Sequence, residues 1–113
     1  MYNLTNIINL IMFAKENNAT DIHMSAGAVP AMRIDGQLTY MPYDSLTPKD
    51  TDDIVAALLN EEQLKILHKN HYISSPVVIS EIGRLRANIS IQRSSYSVNI
   101  KLLDGLLKSV VEL

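Results

Sequence analysis

From Arg84 to Leu102 the chain keeps a two-residue period on both sides of a tight polar turn, and few folds can accommodate that. Leu85, Ala87, Ile89 and Ile91 fall on one side, and Arg84, Arg86, Asn88, Ser90 and Gln92 on the other. Beyond Arg93-Ser94-Ser95, Tyr96, Val98, Ile100 and Leu102 alternate with Ser97, Asn99 and Lys101. Successive strand residues point to opposite faces, so the pattern predicts two antiparallel strands, apolar on one face and polar on the other. Val77 to Ile82 reads as a third strand. The apolar face of such a sheet must be covered by other elements.

The first two thirds of the chain supply the cover. Leu4, Ile7, Ile8 and Ile11 follow the spacing of a helix face, with Asn3 or Thr5 available as a cap. Leu10, Met12 and Phe13 widen that stripe, and one of them is a candidate to meet a neighbouring subunit. A short strand, Asp21 to Met24, follows. Ala31 to Ile34 and Leu38 to Met41 flank Asp35-Gly36, a strong hairpin signal because type I′ turns require positive φ at both central residues. Thr47 reads as an N-cap, with Pro48 at the first helical position and Asp50 near the positive helix end. Ile54, Val55, Leu58 and Leu59 form the buried face of that helix. Asn60 caps another through Leu64 and Leu67, ending near Lys69-Asn70. The order is helix, three strands, two helices, three strands: an α+β domain whose antiparallel sheet carries helices on one face.

Composition narrows the function classes. The 113 residues include 10 basic and 12 acidic side chains, a net charge of −2. There is no basic excess to follow a phosphate backbone, so nucleic acid is not an expected partner. The absence of cysteine excludes disulfides and thiolate metal sites. Leu4 to Ala14 is far short of the roughly 20 apolar residues that span a bilayer, and no cleavage signal accompanies it. A soluble, cytoplasmic protein is expected.

Catalytic motifs are missing. A phosphate loop wraps backbone amides around phosphate and then places Gly-Lys-Ser/Thr to supply an ammonium and a magnesium ligand. None of the four glycines, Gly27, Gly36, Gly83 and Gly105, is followed by Lys. No zinc helix, calcium loop or nucleophile elbow occurs. His68 and His71 stand three apart on a helix without a third ligand nearby, and read as solvated surface histidines. The chain by itself is expected to hydrolyse no ATP and to need no cofactor.

One segment goes further. Ala19-Thr20-Asp21-Ile22-His23-Met24-Ser25-Ala26-Gly27, then Pro30 and Met32-Arg33-Ile34-Asp35-Gly36, resembles the A-S-D-[IL]-H-[LI]-S-x-G-x-x-P-x-x-R-x-D-G signature of the secretion and pilus ATPase superfamily. Arg84-Leu85-Arg86-Ala87-Asn88 is similar to that superfamily's later R-[FY]-R-[VA]-N strand. The likeness runs from the first helix to Lys101. Only eighteen residues precede Ala19, which is more similar to PilT-like type IV pilus retraction ATPases than to assembly or type II secretion ATPases with longer N-terminal extensions.

The resemblance implies a PAS-like N-terminal domain over residues 1–103, with residues 104–113 a linker toward a RecA-like ATPase domain beyond Leu113. It implies a cytoplasmic homo-hexamer at the inner face of the cell membrane, working with the platform protein of the pilus and using ATP and Mg²⁺, with the nucleotide in the cleft between the N-terminal and ATPase domains. Arginines of the N-terminal domain then reach nucleotide phosphates. Arg84 and Arg86 match the R-x-R strand; Arg93 and Lys101 lie close to two further basic positions. Ser94 stands where the family usually has Arg, Lys101 replaces an Arg, and Ser74-Ser75-Pro76 stands in place of an acidic-aromatic pattern. Asp21, His23, Gly27, Arg33, Asp35, Gly36 and Asn88 carry the structural motif. By itself such a domain is expected to be monomeric or only weakly associated. A stand-alone PAS-like sensor or adaptor, and the matching domain of an assembly or secretion ATPase, are the rival readings.

From the residues alone, Asp21 and His23 share one strand face and read as local structure, with Asp21 able to bond backbone amides in the adjoining loop. Arg84 and Arg86 read equally as a solvated face or as an anion-binding one, because Arg forks match phosphate geometry. The resemblance favours the anion-binding reading.

Overall fold

A computed structural model describes residues 4–80 and 82–103, with the side chains of Leu4 and Thr5 set aside. The expected cap at Asn3 or Thr5, the Leu4 side chain and the linker at 104–113 lie outside the described residues.

Nine elements follow in the expected order: α1 (Leu4–Glu16), β1 (Asp21–Ser25), β2 (Ala31–Ile34), β3 (Gln37–Tyr40), α2 (Pro48–Leu58), α3 (Glu61–Asn70), β4 (Tyr72–Ile79), β5 (Gly83–Gln92) and β6 (Ser95–Leu102). The strands form one sheet in the order β3-β2-β1-β6-β5-β4, antiparallel throughout. The late hairpin thus docks through β6 onto β1, from the other end of the chain.

Side chains from one sheet face and three helices make a single core. Ile22, Met24, Leu85, Ala87, Ile89, Val98 and Ile100 are buried, as are Ile7, Leu10, Ile11 and Ala14 of α1. Spacing of three and four residues puts those α1 side chains on one face. Leu10 is therefore core, contrary to the expectation that it might serve a neighbour. Phe13 meets Tyr43 edge to face at 6.1 Å, and Met12 packs partly buried on the core.

Local chemistry sets the helix starts. Thr47 Oγ1 accepts from the Asp50 amide at 3.1 Å while the Asp50 carboxylate accepts from the Thr47 amide at 2.8 Å, a reciprocal capping box. Asn60 and Gln63 do the same for α3. The helix ends at His71 in the left-handed conformation, φ 64°.

Two strand boundaries differ from expectation. Ile34 pairs with Gln37 across Asp35-Gly36 (φ 50° and 81°), so β3 starts one residue early. The strand expected over Val77–Ile82 runs instead over Tyr72–Ile79. It lies at the sheet edge, where Pro76 is tolerated because one side of the strand needs no ladder partner. Ile82 belongs to the turn, its amide donating to the Ile79 carbonyl at 2.9 Å. Among the described residues no helix is long and apolar enough to cross a membrane.

Candidate anion-binding face

The helices leave the other sheet face uncovered, and alternation sends the polar residues there. Cross-strand register assembles them into rows. One row reads Leu38, Arg33, Asp21, Lys101, Arg86 and Pro76; the next reads Tyr40, Ala31, His23, Asn99, Asn88 and Ser74. Arg84 follows one step along β5, opposite Val78.

Three of the four expected phosphate contacts come together. Arg86 is directly opposite Lys101, and Arg84 lies two residues away on the same face. Arg93 does not join them. It occupies the β5–β6 turn at φ 52°, about 30 Å from Arg84 along the strand direction.

The three cations are held differently. Arg84 is exposed, and its side chain has no hydrogen-bond partner among the described residues. Arg86 Nη1 donates to Ser74 Oγ at 2.9 Å. Lys101 Nζ lies 3.3 Å from Asp21 Oδ2. Asp21 also accepts from Thr20 Oγ1 at 2.6 Å. Burial pushes the Asp21 carboxyl up, but the bonds from Thr20 and Lys101, the Lys101 charge and Asn99 outweigh it and hold the group below its ordinary value. The expected loop-amide bonds to Asp21 give way to side-chain partners, because its carboxylate leaves the sheet beside β6, where Lys101 is directly opposite.

A chain of amides crosses the face. Tyr72 Oη donates to Asn88 Oδ1 at 3.3 Å, Asn88 Nδ2 to Asn99 Oδ1 at 3.4 Å, and Asn99 Nδ2 lies 3.2 Å from His23 Nδ1. His23 and Asn88 were legible as motif residues. Asn99 was not, since its partner His23 comes from a strand at the other end of the chain; Ser74 on the neighbouring strand and Thr20 next to Asp21 carried no sign of their side-chain bonds either. The other motif residues shape loops: Arg33 Nη1 bonds the Gly36 carbonyl at 3.1 Å, and the Gly27 amide bonds the Leu46 carbonyl at 2.7 Å from a φ of 86°.

His68 and His71 part company. His68 Nε2 is 2.7 Å from Tyr96 Oη, with the rings edge to face at 5.9 Å, whereas His71 has left the helix. His68 is thus tied to β6 rather than only solvated. Burial first, then the Asp52 charge, raises the Tyr96 phenol pKa, so the hydroxyl keeps its proton at neutral pH.

Comparison with known proteins sharpens the picture. No family model matches the chain. The type IV pilus ATPase PilU of Pseudomonas aeruginosa is 24% identical over 104 residues, 92% of this chain and 27% of PilU. The type IV pilus retraction ATPase PilT of the same organism is 26% identical over 82 residues, 73% of this chain and 24% of PilT. The crystal structure of the pilus retraction motor PilT with bound ADP superposes with a TM-score of 0.80 at 31% identity, covering 89% of this chain and 29% of that one. The ATPase DotB of Legionella pneumophila shares the fold, with a TM-score of 0.75 at 14% identity, again covering 89% of this chain and 29% of that one. PilU and PilT are homologues of this chain, and the likeness falls on the N-terminal domain region of PilT. The chain spans roughly a quarter of the length of the curated relatives it matches.

Proposed function

We propose that this chain is the N-terminal domain of a cytoplasmic, hexameric motor ATPase that drives type IV pilus retraction. Its open sheet face presents Arg84 and Arg86 to nucleotide phosphates held by a RecA-like ATPase domain of the same or a neighbouring subunit, with ATP and Mg²⁺ bound mainly by that domain. The observation that carries the reading is the bare sheet face on which Arg84, Arg86 and Lys101 converge. Homology to PilU and PilT supports the pilus setting. The platform protein of the pilus is the expected membrane partner. Two guanidiniums on one rigid strand suit an anion with several oxygens, because each presents a planar fork of donors.

The test uses the protein encoded by the complete reading frame. Arg84→Ala and Arg86→Ala, made singly, are expected to lower ATP turnover at least tenfold. An arginine that stabilises the transferring phosphoryl group is worth about 10³–10⁵ in rate, and one that only orders the cleft is worth less. Arg→Lys should rescue poorly, since a point charge cannot reproduce the fork. Wild-type turnover in both Ala variants, with rings assembled, would reduce the face to a solvated surface. Deletion of the gene separates the rivals: retained pili without retraction support the retraction motor, loss of pili points to assembly, and unchanged pili to a sensor or adaptor.

A further inference from the structure

Arg84, Arg86 and Lys101 share one face, yet among the described residues only Lys101 faces a carboxylate. Resting on the reading above, we propose that Asp21 is a positioning residue for this site: it holds Lys101 in reserve, so that a polyphosphate meets Arg84 and Arg86 first and recruits Lys101 only by drawing its ammonium away from the Asp21 carboxylate.

The register makes this arrangement necessary. Lys101 sits between Asp21 on one neighbouring strand and Arg86 on the other. Like charges directly opposite each other across a sheet repel, so without Asp21 the ammonium and the Arg86 guanidinium would push each other apart. Asp21 removes that conflict in the empty site.

The geometry shows which partner is the movable one. The Asp21 side chain is 12% exposed, and its other oxygen is fixed by Thr20 Oγ1 at 2.6 Å. The Lys101 side chain is 52% exposed on a flexible four-carbon stem. Its 3.3 Å separation from Asp21 is longer than the roughly 2.7–2.9 Å of a tight charge-assisted bond. The carboxylate therefore stays and the ammonium swings. Thr20 and Asn99 continue to stabilise the carboxylate after Lys101 leaves. Arg86, braced by Ser74, and Arg84, with no side-chain partner among the described residues, engage without a competing ion pair there.

The experiment is a titration of the 113-residue chain with inorganic pyrophosphate, followed by NMR of the Arg and Lys side-chain nitrogens. Salt near 0.15 M confines direct charge effects to about 8 Å. In the unsubstituted chain the Arg84 and Arg86 signals are expected to shift first, with Lys101 Nζ still unmoved when they are half shifted. In Asp21→Asn the Lys101 signal should follow the Arg86 curve, and affinity should rise about two- to fivefold, the range that an exposed ion pair supports. In a Lys101→Met background the same Asp21→Asn change should give less than half that gain, because the coupling runs through the lysine. Lys101 moving together with Arg86 in the unsubstituted chain, or an equal gain in the Lys101→Met background, would overturn the proposal and leave the anion-facing reading intact. Silence of Arg84 and Arg86 in every variant would overturn the proposal, which requires this face to bind the anion, while the anion-facing reading would still be decided by ATP turnover in the full-length variants. The titration of the unsubstituted chain decides the order of engagement even if Asp21→Asn fails to fold.

Discussion

On the covered face of the sheet, Ile22, Leu85, Ile89, Val98 and Ile100 are buried among helices; on the open face, Asp21, Asn88, Asn99 and Lys101 touch one another across strands. Both faces come from the same strands at alternate positions. The covered face is held by removal of apolar area from water, which is non-directional and worth about 1.5–3 kcal/mol for each large aliphatic side chain. The open face is held by individual hydrogen bonds and one ion pair, each worth about 1 kcal/mol or less where water competes. The first face supplies stability, and the second can be rewritten for chemistry without unfolding the domain.

The sharpest way to break that contrast is on the covered side. Leu10→Ala leaves a cavity where α1 meets the core, since Leu10 is 1% exposed. A loss of about 2–5 kcal/mol is expected, measured by urea or thermal unfolding. A loss below about 1 kcal/mol would show that α1 is only loosely docked.

What could be read from the sequence divides along the same line. Alternation at Leu85, Ala87, Ile89 and Ile91 revealed the buried side of β5 because burial imposes a period, and a period needs no knowledge of the partner. Thr47-Pro48 and Asn60 revealed helix starts because capping acts within one turn. β4 was placed too late because Ser74, Ser75 and Pro76 break the apolar run; the edge position accommodates them. The Asp21–Lys101 pair joins residues from opposite ends of the chain through the β1–β6 register, which no local pattern encodes. The family signature marked Asp21 and the R-x-R strand, but Asn99 became visible as a partner of His23 only once β6 had been placed beside β1.

Two of the hairpin turns offer a smaller test. Asp35-Gly36 uses glycine at φ 81°, whereas Arg93-Ser94 holds two side-chain-bearing residues at φ 52° and 65°. Left-handed backbone costs an ordinary L-residue about 1–2 kcal/mol, partly offset because glycine gains entropy when unfolded. Ser94→Gly is therefore expected to stabilise the domain by about 0.5–1 kcal/mol, read as a rise in the unfolding midpoint. No gain would mean that the turn is relaxed by contacts of the Ser94 side chain.

Acid should reveal the ion pair of the open face. The Asp21 carboxyl titrates lower in the folded chain than its ordinary value. Its contribution is thus fully present above the unfolded value near pH 4 and is lost as pH falls through the lower folded value. The difference in stability between the unsubstituted chain and Asp21→Asn is expected to shrink by about 1 kcal/mol or less on going from pH 6 to pH 2. A difference that stays constant would mean that the carboxylate gains nothing from Thr20 and Lys101.

The smallest expected effect is the one that tests the contrast most directly. Arg86→Ala removes a guanidinium that touches Ser74 Oγ and stands opposite Lys101. The lost bond is solvent-accessible and neutral on one side, so it contributes about 0.5 kcal/mol at most against competition from water. Its removal also relieves the repulsion between Arg86 and Lys101, which acts in the opposite direction. The two terms nearly cancel, and a change within about 0.5 kcal/mol is expected in urea unfolding at neutral pH. Arg84→Ala should fall in the same range, since an exposed side chain with no bonded partner has little to lose. If either change costs more than about 1.5 kcal/mol, the aliphatic stems of these arginines are packing on the strand face, and the open face contributes to the fold. If neither does, loss of ATP turnover in the same variants of the full-length protein is a loss of function alone, because the sheet that carries the arginines stands without them.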